Sequence, residues 1–183
     1  MNFCCRRTGD FPHNGSMGSN LVLIGMPGAG KSTIGVLLAR QLGYAFLDTD
    51  LLIQERQGKR VLQEVVDEMG QDAFRAYEED ICATLTADHT VIATGGSVVY
   101  FPRAMARLKE LGTVVWLDVP FPDIERRVAQ FPDRGLAIRP GQTLADLHAE
   151  RAPLYERYAQ LHIDCGQREP AEIVHEIVSR RAP

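Results

Sequence analysis

Residues 21–33 read LVLIGMPGAGKST, an apolar run that breaks into glycines and closes on Lys31, Ser32 and Thr33. Every fixed position of the phosphate-binding pattern G-x-x-x-x-G-K-[ST] is filled between Gly25 and Ser32. Glycines at these positions let the backbone turn successive N–H groups inward around a phosphate. Lys31 brings a positive charge to the outer phosphates, Ser32 offers a hydroxyl to Mg²⁺, and the helix that starts here aims its positive dipole end at the same anion. Gly28, Ala29, Gly30, Lys31, Ser32 and Thr33 are the nucleotide-binding candidates. The alternative is an ordinary glycine-rich turn. It is disfavoured because LVLI has the length and branching of a buried parallel strand, and Ile34, Leu37, Leu38 and Leu42 recur at helical spacing afterwards.

The chain has 183 residues, enough for one domain with a sound core. A hydrophobic fraction of 45%, a charged fraction of 24% and a net charge of -4 point to a globular protein with small-molecule partners, and away from nucleic acid and anionic membranes. Cys4, Cys5, Cys82 and Cys165 form no C-x-x-C pair and read as a reduced, cytoplasmic set. No stretch approaches the roughly 20 apolar residues of a membrane helix. Residues 1–19 lack the apolar centre of a signal peptide and read as a disordered leader, with residues 20–183 as a single domain; a monomer is expected.

The chain then alternates. Tyr44–Leu47 reads as a second strand, ending in Asp48-Thr49-Asp50. Residues just past the carboxyl ends of parallel strands line the ligand crevice, so these carboxylates are candidates for a Mg²⁺ partner and a base; the alternative is a helix cap. Residues 61–87 carry a helical pattern broken near Gly70, with Phe74, Tyr77, Ile81 and Leu85 on one face. Arg75 lies off that face, with Glu78 and Glu79 spaced for a surface ion pair. Thr90–Ala93 is a third strand, followed by Gly95 and Gly96, which permit close approach of a ligand or make a plain turn. Thr113–Leu117 is a fourth strand. Asp118 at its end imitates the Mg²⁺-binding carboxylate of nucleotide hydrolases and reads as a decoy, because Asp48 fills that need. Arg126–Gly141, rich in Arg, Pro and Gly, reads as a mobile flap, or else a solvated loop. Residues 143–160 are helical in pattern, capped by Thr143 and broken or kinked at Pro153. His148 and His162 are isolated and read as structural. Leu161–Asp164 is a fifth strand, and Pro170 opens a last helix with Ile173, Val174, Ile177 and Val178 on one side. Five strands alternating with helices make an α/β, three-layer, doubly wound parallel sheet.

GMPGAGKST with Gly35, FLDTD, FR-x-x-EE from Phe74 to Glu79, ATGG, the flap and ERAPLY follow one another in a fixed order. Together they resemble the shikimate kinase family, small phosphate-loop kinases with a mobile lid that phosphorylate the 3-hydroxyl of shikimate with MgATP. The resemblance spans nearly everything from Leu21 to the C-terminus. It implies that Asp48 is associated with Mg²⁺ and that Asp50 serves the substrate hydroxyl. It implies that Arg75 and Arg151 hold the substrate carboxylate, and that Arg134, in a lid over about 127–141, reaches the transferring phosphate. Arg127 and Pro170 would flank the adenine, and Gly95, Gly96 and Ser97 would line the substrate. The chain departs from the family at Ser97, where a third glycine is usual. Two other readings stay open: a related kinase for another hydroxy acid of gluconate type, and a non-catalytic nucleotide-binding regulator.

Overall fold

The computed structural model describes residues 19–58, 60–130 and 141–181. Five strands, β1 (Asn20–Ile24), β2 (Ala45–Asp48), β3 (Thr90–Ala93), β4 (Gly112–Asp118) and β5 (Leu161–Asp164), form one all-parallel sheet in the order β2-β3-β1-β4-β5. β1 lies at the centre and all five of its residues are buried. A strand buried on both faces has to be apolar throughout, which is why LVLI carries no alternation. Asn20 is the polar exception. Its side-chain amide donates to the carbonyls of Ala87 and Leu111 and accepts from the Thr90 N–H, so it ties the starts of three strands together.

Among the described residues, eight α-helices surround the sheet: α1 (Lys31–Leu42), α2 (Thr49–Arg56), α3 (Leu62–Met69), α4 (Gln71–Ala83), α5 (Pro102–Leu111), α6 (Phe121–Ala129), α7 (Leu144–Tyr158) and α8 (Pro170–Arg180). α1 and α8 pack together on one face, while α5 and α7 cover the other and α4 leans on α5. The chain crosses over at β1, because β3 and β4 lie on its two sides. The carboxyl ends of β1, β3 and β4 therefore open on one crevice, the usual ligand position in such a sheet.

Three elements differ from the sequence reading. α5 was not anticipated; Pro102 starts it, and Ala104, Met105, Leu108 and Leu111 are buried. Arg126–Ala129 is helix, not flap. α6 buries Asp123 and Ile124, places Asp123 in its first turn and Arg126 and Arg127 in its last, so its charges complement the helix dipole. Residues 131–140, including Arg134, lie outside the described residues, as does the leader through residue 18. Pro153 does not end α7, which runs on to Tyr158. The carbonyl that loses its helical partner belongs to Ala149, which is exposed and can be hydrated.

Candidate active site

The turn from β1 into α1 takes the shape its glycines permit. At Gly25 (φ 143°) a Cβ would lie 2.7 Å from the Leu117 carbonyl oxygen, so a side chain is excluded both by backbone angle and by space. Gly30 holds left-handed backbone (φ 87°) immediately before α1, and the Ala29 N–H closes the loop on the Met26 carbonyl at 3.1 Å. Lys31 is buried and folds back over this loop, where its ammonium donates to the carbonyls of Gly25 and Met26 at 2.8 Å each. The first turn of α1 carries no acidic side chain, so its N–H groups and dipole remain suited to an anion.

The Ser32 hydroxyl donates to Asp48 Oδ2 at 2.7 Å, bringing the end of the phosphate loop against the end of β2. Asp48 serves a second purpose: Oδ1 accepts from the N–H groups of Asp50 and Leu51 and caps α2. A hydroxyl and a carboxylate, both hard oxygen donors, fit Mg²⁺. That ion commonly takes only one or two protein oxygens and completes its shell with water and phosphate. No cluster of three or more His, Cys, Asp or Glu side chains capable of holding a metal occurs among the described residues.

Beyond Asp48, Asp50, Glu78 and Arg151 gather around Gly95 and Gly96 at the end of β3. Gly95, whose N–H donates to the Thr49 hydroxyl at 3.1 Å, sits between two carboxyl groups: a Cβ there would meet Glu78 Oε1 at 2.5 Å and Asp50 Oδ1 at 2.9 Å. At Gly96 a Cβ would lie 2.8 Å from the Pro27 ring and 3.1 Å from Arg151 Nη1. Protein atoms thus crowd both glycines, and Gly96 and Ser97 form a turn. Removal from solvent and, secondarily, the Asp48 charge push the Asp50 carboxyl up to about 6, opposed by Lys31. Burial raises Glu78 further, to about 7; the Ser97 hydrogen bond opposes this, Asp50 adds to it, and Arg151 and Arg75 oppose it.

Glu78 does not take part in the surface ion pair that its spacing from Arg75 leaves open as an alternative. It is 3% exposed, and it accepts from the Ser97 hydroxyl at 2.6 and 2.8 Å. α4 turns Glu78, Ile81 and Cys82 inward and leaves Phe74 and Tyr77 only half-buried, so its buried face is rotated from the one expected. Arg151 is buried and inward-facing. Its Nε donates to the Tyr100 hydroxyl at 3.3 Å, and the guanidinium lies 5.2 Å over that ring. The Tyr155 hydroxyl donates to the Gly96 carbonyl at 2.7 Å and holds the glycine turn from beneath. Neither tyrosine was singled out from the sequence, although ERAPLY already places Tyr155 one helical turn beyond Arg151. Asp118 is engaged with His162 Nε2 at 2.9 Å, and that ring stacks on Trp116.

On the other side of the phosphate loop, a cavity of about 460 Å³ is lined by Gly28, Gly30 and Thr33 together with Arg127, Cys165 and Pro170. Arg127 Nη1 donates to the Gly28 carbonyl at 3.2 Å. Both residues expected to flank a base, Arg127 and Pro170, are therefore on its wall. Cys165 was not anticipated there; burial pushes its thiol up to about 12.

Comparison with known proteins identifies the family. A family model described as shikimate kinase matches residues 27–182. Shikimate kinase of Mycobacterium tuberculosis is 39% identical over 167 residues, 90% of this chain and 94% of the relative. That of Sulfurihydrogenibium is 34% identical over 88% of this chain and 96% of the relative. Among solved structures, shikimate kinase from Acinetobacter baumannii in complex with shikimate superposes with a TM-score of 0.79 at 32% identity, covering 87% of this chain and 90% of that one. The enzyme from Aquifex aeolicus superposes with a TM-score of 0.71 at 30% identity, covering 87% and 94%.

Proposed function

The chain belongs to the shikimate kinase family, and on that premise we propose that it transfers the γ-phosphoryl group of ATP to the 3-hydroxyl of shikimate, giving 3-phosphoshikimate and ADP. The observation that carries this reading is Gly96, which lies between Pro27 of the phosphate loop and the buried Arg151, one residue from the point where Asp50 and Glu78 flank Gly95. A nucleotide cradle thereby adjoins a pocket with a carboxylate for a hydroxyl and a guanidinium for an acid.

Asp50 orients the acceptor hydroxyl and receives its proton as the new oxygen–phosphorus bond forms and the bond to the β-phosphate oxygen breaks. Lys31, fixed by two loop carbonyls, meets the negative charge that spreads over the moving group, and Arg134 is proposed to close on it from the lid. Arg75 and Arg151 hold the acceptor carboxylate, and the backbone at Gly95, Gly96 and Ser97 lines the ring. Gly28 to Thr33 cradle the phosphates, with Arg127 and Pro170 beside the adenine. Ser32 and Asp48 would hold Mg²⁺, which when bound neutralises charge on the phosphate oxygens. We read the enzyme as a monomeric, cytoplasmic single domain, in keeping with the free, buried thiols of Cys82 and Cys165.

Coupled ADP release with MgATP is measured against shikimate, quinate, gluconate and a nucleoside monophosphate, with the phosphorylated product identified by mass. Release with shikimate is expected. Release with gluconate alone would assign the chain to another hydroxy acid, and release with none would favour the regulatory reading.

A further inference from the structure

Glu78 has one hydrogen-bonding partner among the described residues, the Ser97 hydroxyl, 2.6 Å from Oε1 and 2.8 Å from Oε2. Charged and titratable groups face it from each packed element: Asp50 from α2, Arg75 and Cys82 from α4 itself, and Arg151 and Tyr155 from α7. Arg75 makes no hydrogen bond or ion pair among the described residues, and Arg151 commits Nε to Tyr100. A buried carboxylate beside two guanidinium groups gains most by pairing with one of them. Here the Ser97 hydroxyl takes that partner's place.

Resting on the shikimate reading, we propose that Ser97 is a positioning residue for acceptor binding: by tying down the Glu78 carboxylate, its hydroxyl keeps Arg75 and Arg151 available for the carboxylate of the acceptor. Without the hydroxyl, Glu78 turns toward a guanidinium and competes with the substrate from inside the protein. The competitor has to be charged. Because burial holds the Glu78 carboxyl at about 7, the competition is weak at low pH and grows as pH rises through that value. A packing defect at Ser97 would have no reason to follow this titration.

The test is the KM for shikimate at saturating MgATP, from about pH 6 to about pH 8.5, in the full chain and in Ser97→Ala, Ser97→Thr, Glu78→Gln and the Ser97→Ala/Glu78→Gln pair. Ser97→Ala is expected to raise KM about three- to tenfold at the alkaline end, more than it lowers kcat, and to approach wild type at the acid end. Threonine, which keeps the hydroxyl, restores the wild-type profile, and in the Glu78→Gln background the alanine substitution adds no further loss. An unchanged KM, a rise independent of pH, or a rise that persists undiminished with Glu78→Gln overturns the proposal. Should Glu78→Gln not fold, the contrast of alanine with threonine across pH decides alone. A wild type that releases no ADP with shikimate removes the functional reading and this proposal together. An active wild type with an unmoved Ser97→Ala profile removes this proposal only.

Discussion

Asp48 accepts the Ser32 hydroxyl on one carboxylate oxygen and caps α2 with the other, so a single side chain joins the phosphate loop to the acceptor wall. The two duties separate by substitution. Asp48→Asn retains a good capping group but loses the negative charge, and should raise the Mg²⁺ concentration for half-maximal rate with little change in Tm. Asp48→Ala loses the cap as well, at a cost of about 1 kcal/mol. Equal Mg²⁺ dependence in wild type and Asp48→Asn would remove Asp48 from the metal shell.

In the proposed mechanism, Lys31 serves the moving phosphoryl group and Asp50 the acceptor hydroxyl. Lys31→Ala should abolish turnover while circular dichroism stays native, since the ammonium adds charge to a loop whose shape its glycines already set. Asp50→Asn should collapse kcat and leave ATP affinity, read by nucleotide titration, nearly unchanged. A parallel loss of ATP affinity in Asp50→Asn would instead place Asp50 at the metal.

Arg75→Leu and Arg151→Leu should each raise the KM for shikimate and spare that for ATP, because a charge-assisted hydrogen bond to a carboxylate contributes about 1.5–3 kcal/mol. Arg151 is buried and also orders Tyr100, so its leucine variant should lose some Tm in addition. If an analogue lacking the carboxylate is phosphorylated as well as shikimate, the arginines have another task.

The crevice could be read from the sequence because its signals are local. Gly25 to Thr33 is punctuated by glycine and lysine at fixed offsets, and β3 (TVIA) and β5 (LHID, alternately buried and exposed) emerge with the bounds expected of them. Glu78 could not be read this way. Its spacing from Arg75 is that of a surface pair, and its burial depends on Ser97, which lies 19 residues away and meets it only once α4 packs against the end of β3. Arg127 illustrates the same limit. Arginines beside Pro and Gly resemble loop, yet the burial of Ile124 by tertiary packing makes the segment helical.

Glu78 also makes stability depend on pH in a direction unusual for a carboxylate. Its pKa in the fold, about 7, lies above its ordinary 4.5, so the folded state holds the proton more tightly than the unfolded chain. The contribution is fully present below the lower value and is lost as pH rises through the upper one. Glu78→Gln removes the ionisation, and should stabilise the fold relative to wild type at alkaline pH by on the order of 3 kcal/mol, seen as a higher Tm, with the advantage vanishing near the acid end of the window. Thermal melts at the two pH values give the sign directly; an advantage equal at both would mean that Glu78 is charged throughout.

Arg127 ties the end of α6 to the phosphate loop. It stands in the final turn of α6, donates to the Gly28 carbonyl at 3.2 Å, and lines the same cavity as Pro170. A planar guanidinium can lie flat against a purine ring while keeping its hydrogen bond to the loop, a combination that lysine's point charge cannot reproduce. Arg127→Ala should therefore raise the KM for ATP about tenfold, and Arg127→Lys should recover only part of the loss, with the KM for shikimate unchanged in both. Competition by adenosine, which has no phosphates, separates base stacking from charge: its inhibition should weaken in both variants. Undiminished adenosine inhibition in Arg127→Ala would move Arg127 from the base to the phosphates.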